Sequence, residues 1–177
     1  LLNKTAFRDK ICAAMPAKPQ QDKADALLFL DLDNFKLIND TFGHIKGDEA
    51  LLAASEVLTR IFRNADAVGR FGGDEFGVFV RGITRSALKE RAEALLSELH
   101  SFIEQDGQTV EITTSIGIYQ FDGTESSYDV ALHRADNAQY VAKQAGKNCY
   151  RFYDELPEAW TDDTHEAKKR NTEGQAQ

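Results

Sequence analysis

The chain has 177 residues, 42% of them hydrophobic and 28% charged, with 21 Lys and Arg against 29 Asp and Glu for a formal charge of -8. That length suits one globular domain with a sizeable core and is short for two, and the acidic balance lacks the basic footprint that nucleic-acid binding requires. No apolar run has the length of a membrane-spanning helix, and the first residues lack a charged-then-apolar signal pattern, so the expectation is a soluble domain without direct membrane contact.

Leu2, Ala6, Phe7, Ile11 and Ala14 recur on one side and predict a helix over residues 1–15, which Pro16 and Pro19 end. Residues 16–25 read as a polar loop. The apolar run 26–30 predicts a strand buried on both faces, with Asp31 and Asp33 at its carboxyl end, the edge where open α/β sheets hold ligands. Helical spacing of Ala50, Leu51, Ala54, Leu58 and Ile61 predicts a covering helix over 48–63. Residues 67–71 and 76–80 are strand-like, and Gly72-Gly73-Asp74-Glu75 between them is a hairpin signal. A helix follows through Leu88, Ala92, Leu95, Leu99 and Phe102, then a strand over 110–119, a helix over 128–144 stopped by Gly146, and a strand over 149–153. The polar remainder, 154–177, reads as a disordered tail or a linker. This order implies an α+β domain over residues 1–153: a central, mostly antiparallel five-stranded sheet with a split βαβ core, flanked by helices.

Cys12 and Cys149 are far apart and lack metal-ligand spacing, the habit of a reduced intracellular protein. The four histidines are scattered without zinc-ligand spacing. The chemistry therefore rests on carboxylates. Asp31-Leu32-Asp33 offers two, expected on opposite faces of the strand end, and Asp74-Glu75 offers two more at the hairpin tip. If the hairpin pairs beside the first strand, one carboxylate from each converges, and magnesium takes such oxygens while sharing its shell with substrate phosphates. Either pair alone is most simply turn chemistry. Together with two adjacent glycines, which permit unusual backbone conformations and close approach of a ligand, the set points to a metal and triphosphate site.

Arg70-Phe71-Gly72-Gly73-Asp74-Glu75-Phe76 contains the five-residue signature after which the GGDEF family is named. Asp31-Leu32-Asp33-Asn34-Phe35-Lys36, Ile38-Asn39-Asp40 and Gly43-His44-Ile45-Lys46-Gly47-Asp48 resemble that family's strand, loop and helix start in order and spacing. Thr114-Ser115-Ile116-Gly117 resembles its later strand, and Arg134-Ala135-Asp136, Tyr140, Ala142-Lys143 and Gly146-Lys147-Asn148 its last helix. Leu1-Leu2-Asn3-Lys4 looks like the tail of its opening motif. The resemblance spans residues 1 to about 153.

The resemblance implies a nucleotide-cyclase and polymerase-palm-like fold and a diguanylate cyclase that condenses two GTP into cyclic di-GMP and two pyrophosphates. It implies a cytoplasmic location, with this domain able to form the cytoplasmic part of a larger, membrane-bound protein whose sensory or regulatory domains lie elsewhere. Asp31, Asp74 and Glu75 would be the catalytic acids. Asp31 and Asp74, the Leu32 carbonyl and Glu75 would hold Mg2+ or Mn2+. Asn39 and Asp48 would read guanine, with Asp48 also able to cap its helix. Phe35, Lys36, Gly72 and Gly73 would lie along the phosphates, which Lys143 and Lys147 would close from the far helix; Lys147 stands where the family often has arginine and gives up bidentate geometry. Arg63 and Asp66 would form the product-inhibition site; taken alone, they are most simply a surface ion pair. The family's further Arg after an Ala-Glu pair is absent at Ala92-Glu93-Ala94, and Arg91 is expected on another side of that helix. His44 is expected to position the guanine loop, and the apolar residue preferred before Tyr140 is replaced by Gln139, with a small packing effect expected. Catalysis would require a homodimer. The main rival is a regulatory module that binds GTP or cyclic di-GMP without turnover, and the intact acidic and guanine-reading set argues against it. A primer-extending nucleotidyl transferase shares the two-carboxylate logic, but the acidic balance disfavours it.

Overall fold

Strand β2 (Lys23–Asp33) runs through the middle of the molecule because its alternating residues face two separate cores. Ala26, Leu28, Leu30 and Leu32 join one cluster, and Leu27 and Phe29 the other. The computed structural model describes residues 1–14, 22–62, 66–123, 127–157 and 160. Arg63, most of the loop 16–25 and most of the tail lie outside the described residues.

On one side β2 pairs antiparallel with β4 (Glu75–Thr84), and on the other with β6 (Gln108–Gln120). β3 (Ala67–Gly72) pairs antiparallel with β4, and the two-residue β1 (Leu2–Asn3) lies parallel to β3 at the edge. β6 outlasts its neighbours: its first half forms a hairpin with β5 (Ser101–Gln105), and its later part pairs parallel with β7 (Tyr150–Phe152). Among the described residues the sheet thus has seven strands, in the order β1-β3-β4-β2-β6-β5 with β7 on β6. The five expected strands are its centre; β1 and β5 are additions.

Helices α2 (Phe35–Phe42), α3 (His44–Ile61) and α4 (Arg85–Leu99) cover one face, burying Ile38, Leu51, Ala54, Leu58, Leu88 and Leu95. Helices α1 (Lys4–Ala14) and α5 (Tyr128–Gln144) cover the other through Phe7, Ile11, Ala131 and Ala135. Side-chain caps start α4 and α5: Thr84 accepts from the Ala87 amide and Ser127 from the Val130 amide.

Two helix ends that carry named residues differ from the sequence expectation. The helix expected over 48–63 begins at His44, so Asp48 lies inside α3 and does not cap it. Helix α4 stops at Leu99, and Phe102 lies in β5, 60% exposed. The cause is Asp106-Gly107, two positive-φ residues (53° and 77°) between paired Gln105 and Gln108, the two-residue turn that closes a hairpin. Cys12 and Cys149 are both free thiols. Among the described residues no helix is long and apolar enough to cross a membrane.

Candidate functional site

The candidate site forms where β2 ends and the β3–β4 hairpin turns. Asp31 and Glu75 are direct partners in the β2–β4 ladder, so the hairpin does pair beside the first acidic strand. Gly72 pairs with Glu75 across a two-residue turn, and Gly72 and Gly73 take φ values of +148° and +52°, a combination glycine adopts without steric cost. The tip is held twice more: the Leu32 amide donates to the Asp74 carbonyl at 3.2 Å, and Arg70 donates through Nε and Nη2 to the Gly73 carbonyl at 3.0 and 2.7 Å.

Asp31 and Asp33 do not sit on opposite faces. The ladder to β6 runs unbroken through 31–33, and in a regular strand residues two apart share a face. Both carboxylates therefore face the α1 and α5 side, and their fates differ. Asp31 meets Lys143 Nζ from α5 at 2.7 Å. Burial pushes its carboxyl up to about 6; Lys143 opposes that rise, while the nearby Asp74 and Asp33 charges add to it. Asp33 is enclosed, accepting from Thr113 Oγ1 and Ser115 Oγ at 2.8 Å each and from the Asn148 amide at 3.2 Å. Thr114 Oγ1 donates to the Asp31 carbonyl at 3.0 Å, tying β6 to the same strand end.

Among the described residues no group of three or more His, Cys, Asp and Glu is arranged to hold a metal ion. Asp31, Asp74 and Glu75 are the residues here whose chemistry suits a hard divalent cation. The donors are all oxygen, and such an ion takes one or two carboxylates, completing its shell with phosphate and water. The Lys143 ammonium on Asp31 marks the spot where this buried carboxylate needs positive charge.

Beside this end, α2 and α3 are separated by Gly43 (φ +83°), whose amide donates to the Asn39 carbonyl at 2.9 Å. The Asn39 side chain lies directly against Gly47: a Cβ there would stand 2.0 Å from Asn39 Oδ1 and 3.3 Å from the Phe35 ring. Asp48 follows on an exposed turn of α3, so the two residues expected to read guanine are neighbours. Lys36 and His44 are exposed, and Phe35 packs partly buried on the core. Lys147 comes to the same strand end, donating through Nζ to Asn34 Oδ1 at 3.0 Å.

Asp66 is buried, 8% exposed, and Arg91 Nη1 meets its Oδ2 at 3.2 Å while Lys10 Nζ donates to its carbonyl. This replaces the expectation that Arg91 points away. Residue 91 of α4 reaches back over the Phe62 ring to the start of β3. Gln139 and Asn137 are both buried in α5, which lies close enough to β6 that the Gln139 backbone touches Gly117. Sequence reasoning passed over the Arg70 fork and the Asp33 enclosure. The first has no local signal; the second was signalled by hydroxyls at 113 and 115, two apart and thus on one face of the adjoining strand.

A family model described as "Diguanylate cyclase, GGDEF domain" matches residues 1–149. The chain is 36% identical over 150 residues to diguanylate cyclase DgcP of Pseudomonas aeruginosa, covering 84% of this chain and 22% of that protein. It is 32% identical over 153 residues to the cyclic di-GMP phosphodiesterase NbdA of the same species, covering 86% of this chain and 20% of that protein. The chain thus spans about a fifth of the length of these two relatives. The crystal structure of the GGDEF domain of DgcB from Caulobacter crescentus, in complex with c-di-GMP, superposes with a TM-score of 0.75 at 27% identity, over 88% of this chain and 92% of that one.

Proposed function

Because the chain belongs to the GGDEF family of diguanylate cyclase domains, we propose that it condenses two GTP into cyclic di-GMP. The observation that carries this reading is the pairing of Asp31 with Glu75 at one strand end, with the Asn39, Gly47 and Asp48 cluster beside it. In each half-reaction the 3′-oxygen of one GTP bonds to the α-phosphorus of another, the bond to the pyrophosphate oxygen breaks, and the 3′-proton leaves. Two such steps close the ring and release two pyrophosphates. Each domain would hold one GTP, so two copies must meet face to face.

Asp48 would accept from the guanine N1 and N2 donors, and Asn39 would present both hydrogen-bond senses to the same edge. Lys36, Lys143 and Lys147 would hold the triphosphate, with Phe35 and the bare backbone of Gly72 and Gly73 letting it lie close. Asp31, Asp74, the Leu32 carbonyl and Glu75 would hold a divalent cation, magnesium or manganese; such a cation lowers the pKa of the hydroxyl and offsets charge at phosphorus. Glu75 would accept the 3′-proton. Cyclic di-GMP would bind at Arg63 and Asp66 and lower activity, with Arg91 as a second guanidinium at that carboxylate.

The runner-up is a domain that binds nucleotide to regulate a neighbour, and one observation favours it: NbdA, a relative of this chain, is a phosphodiesterase. Incubation with GTP and magnesium followed by nucleotide chromatography separates the two. Cyclic di-GMP is expected, and Asp74→Ala should abolish it while leaving the melting curve intact. Bound GTP without cyclic product at high protein concentration would establish the regulatory module instead.

A further inference from the structure

We propose that Asp33 is a positioning residue for the triphosphate: its buried carboxylate holds the loop after α5 in the shape that presents Lys147 to the phosphates, beside Lys143 in the last turn of that helix. This rests on the reading of a GTP site at the end of β2. Asp33 lies two residues from Asp31 on the same face, yet it is 2% exposed and its oxygens are turned inward to protein donors. Thr113 and Ser115 approach from the adjoining strand and fix the carboxylate. The Asn148 amide comes from elsewhere, the segment joining α5 to β7, and donates to Oδ2 at 3.2 Å.

That segment needs holding. Lys147 and Asn148 both take left-handed backbone conformations, with φ of 64° and 46°, after Gly146 at 111°. Non-glycine residues adopt such angles at a cost and keep them where the surroundings over-determine them. Here the determinants converge from both sides. The Lys147 amide donates to the Ala142 carbonyl at 3.2 Å and the Gly146 amide to the Lys143 carbonyl at 3.3 Å, closing the helix end. The Cys149 carbonyl accepts from Ile116, anchoring the far side to β6. Between these anchors the bond from Asn148 to Asp33 secures the strained pair, and Lys147 Nζ is thereby delivered to Asn34 at the mouth of the site.

A carboxylate suits this task because it accepts from every side. An amide can imitate it: one oxygen keeps Thr113 and Asn148, while its NH2 turns to Ser115, whose hydroxyl can reverse to accept. Alanine supplies none of these bonds. Asp33→Asn should therefore rescue what Asp33→Ala loses, and the loss should fall on the phosphates and spare the base.

The test is calorimetry of the protein with 3′-deoxy-GTP, which lacks the attacking hydroxyl and cannot turn over, and with GMP, which lacks the terminal phosphates. Asp33→Ala is expected to weaken 3′-deoxy-GTP about tenfold or more, the scale of a lost charged contact, with GMP affinity within about twofold of the parent. Asp33→Asn should bind both much as the parent does. Equal losses for both ligands, or none for either, would overturn the proposal. Hydrogen exchange at the Asn148 amide gives a second reading that survives a variant too unstable to fold: it should be slow in the parent, and exchange at the rate of an exposed loop amide would refute the role. If the parent itself binds no 3′-deoxy-GTP, the GTP-site reading fails, and the exchange measurement still decides whether Asp33 holds the loop.

Discussion

Replacing Gly117 by alanine should unseat helix α5, and with it both lysines of the proposed phosphate grip. Gly117 lies in β6 at the centre of the sheet, paired with Phe29 of β2 and Arg151 of β7. A Cβ there would stand 1.9 Å from the Ala135 carbonyl oxygen, 2.2 Å from the Gln139 amide nitrogen and 2.8 Å from its Cα. All three are backbone atoms, so no rotamer change relieves the contact. The helix must retreat by about 1 Å or more to restore ordinary van der Waals separation. Retreat is resisted along the whole length, because Ala131, Ala135, Ala138 and Ala142 are completely buried and lifting them opens a gap. Overpacking of this kind costs about 1–3 kcal/mol, and backbone against backbone places the change near the upper end. For a chain of this size that lowers Tm by roughly 6–12 °C. Without the clash the sign would reverse, since alanine in a strand is favoured over glycine by about 0.5–1 kcal/mol. Urea and thermal unfolding measure the difference, and calorimetry with 3′-deoxy-GTP reads the displaced lysines. An unchanged or raised Tm would refute the close seating of α5 on β6.

Gly47→Ala drives a Cβ onto Asn39 Oδ1, a side-chain end that can swing away; the melt should hold while KM for GTP rises and preference over ATP falls, and unchanged kinetics would separate Asn39 from guanine reading. Arg91→Ala removes one charged contact from the buried Asp66 carboxylate, so stability should drop by about 1.5–3 kcal/mol in urea unfolding, with Arg91→Lys recovering part; no loss would make the pair unimportant to the fold. In metal-free protein Asp31 binds its proton more tightly folded than unfolded, with its pKa raised from 3.8 to about 6. The folded state therefore holds more protons between pH 4 and 6, and stability should fall as pH rises through that window, by on the order of 2 kcal/mol from this group. Asp31→Asn should remove that fall, and parallel pH profiles for parent and variant would contradict it.

The sequence revealed the centre of the molecule better than its margins, for physical reasons. β2 announced itself because both its faces are buried, leaving a continuous apolar run, and α5 because its small residues keep a strict helical period between Ser127 and Gly146. The hairpin and its carboxylates were legible from the glycines, which need their positive φ. What escaped was marginal or non-local. β1 is two residues long and exists only as a partner of β3. Phe102 fits the helical period of α4, and the Asp106-Gly107 turn, a strong hairpin signal, lost to that coincidence. The split of α2 from α3 rests on Gly43, whose role depends on a bond to the Asn39 carbonyl. Arg91 reaches Asp66 across elements, a contact that spacing within one helix does not disclose. The faces of Asp31 and Asp33 needed only the two-residue repeat of a strand, read consistently.

Lys143 on Asp31 gives the resting site a property that its inventory of acids conceals. Burial and the nearby Asp74 and Asp33 charges raise the Asp31 carboxyl even with Lys143 beside it. The ammonium at 2.7 Å offsets part of that rise from within the chain. On the proposed function, Lys143 would pass to the phosphates as Asp31 passes to the cation, so the two ion pairs would change partners together.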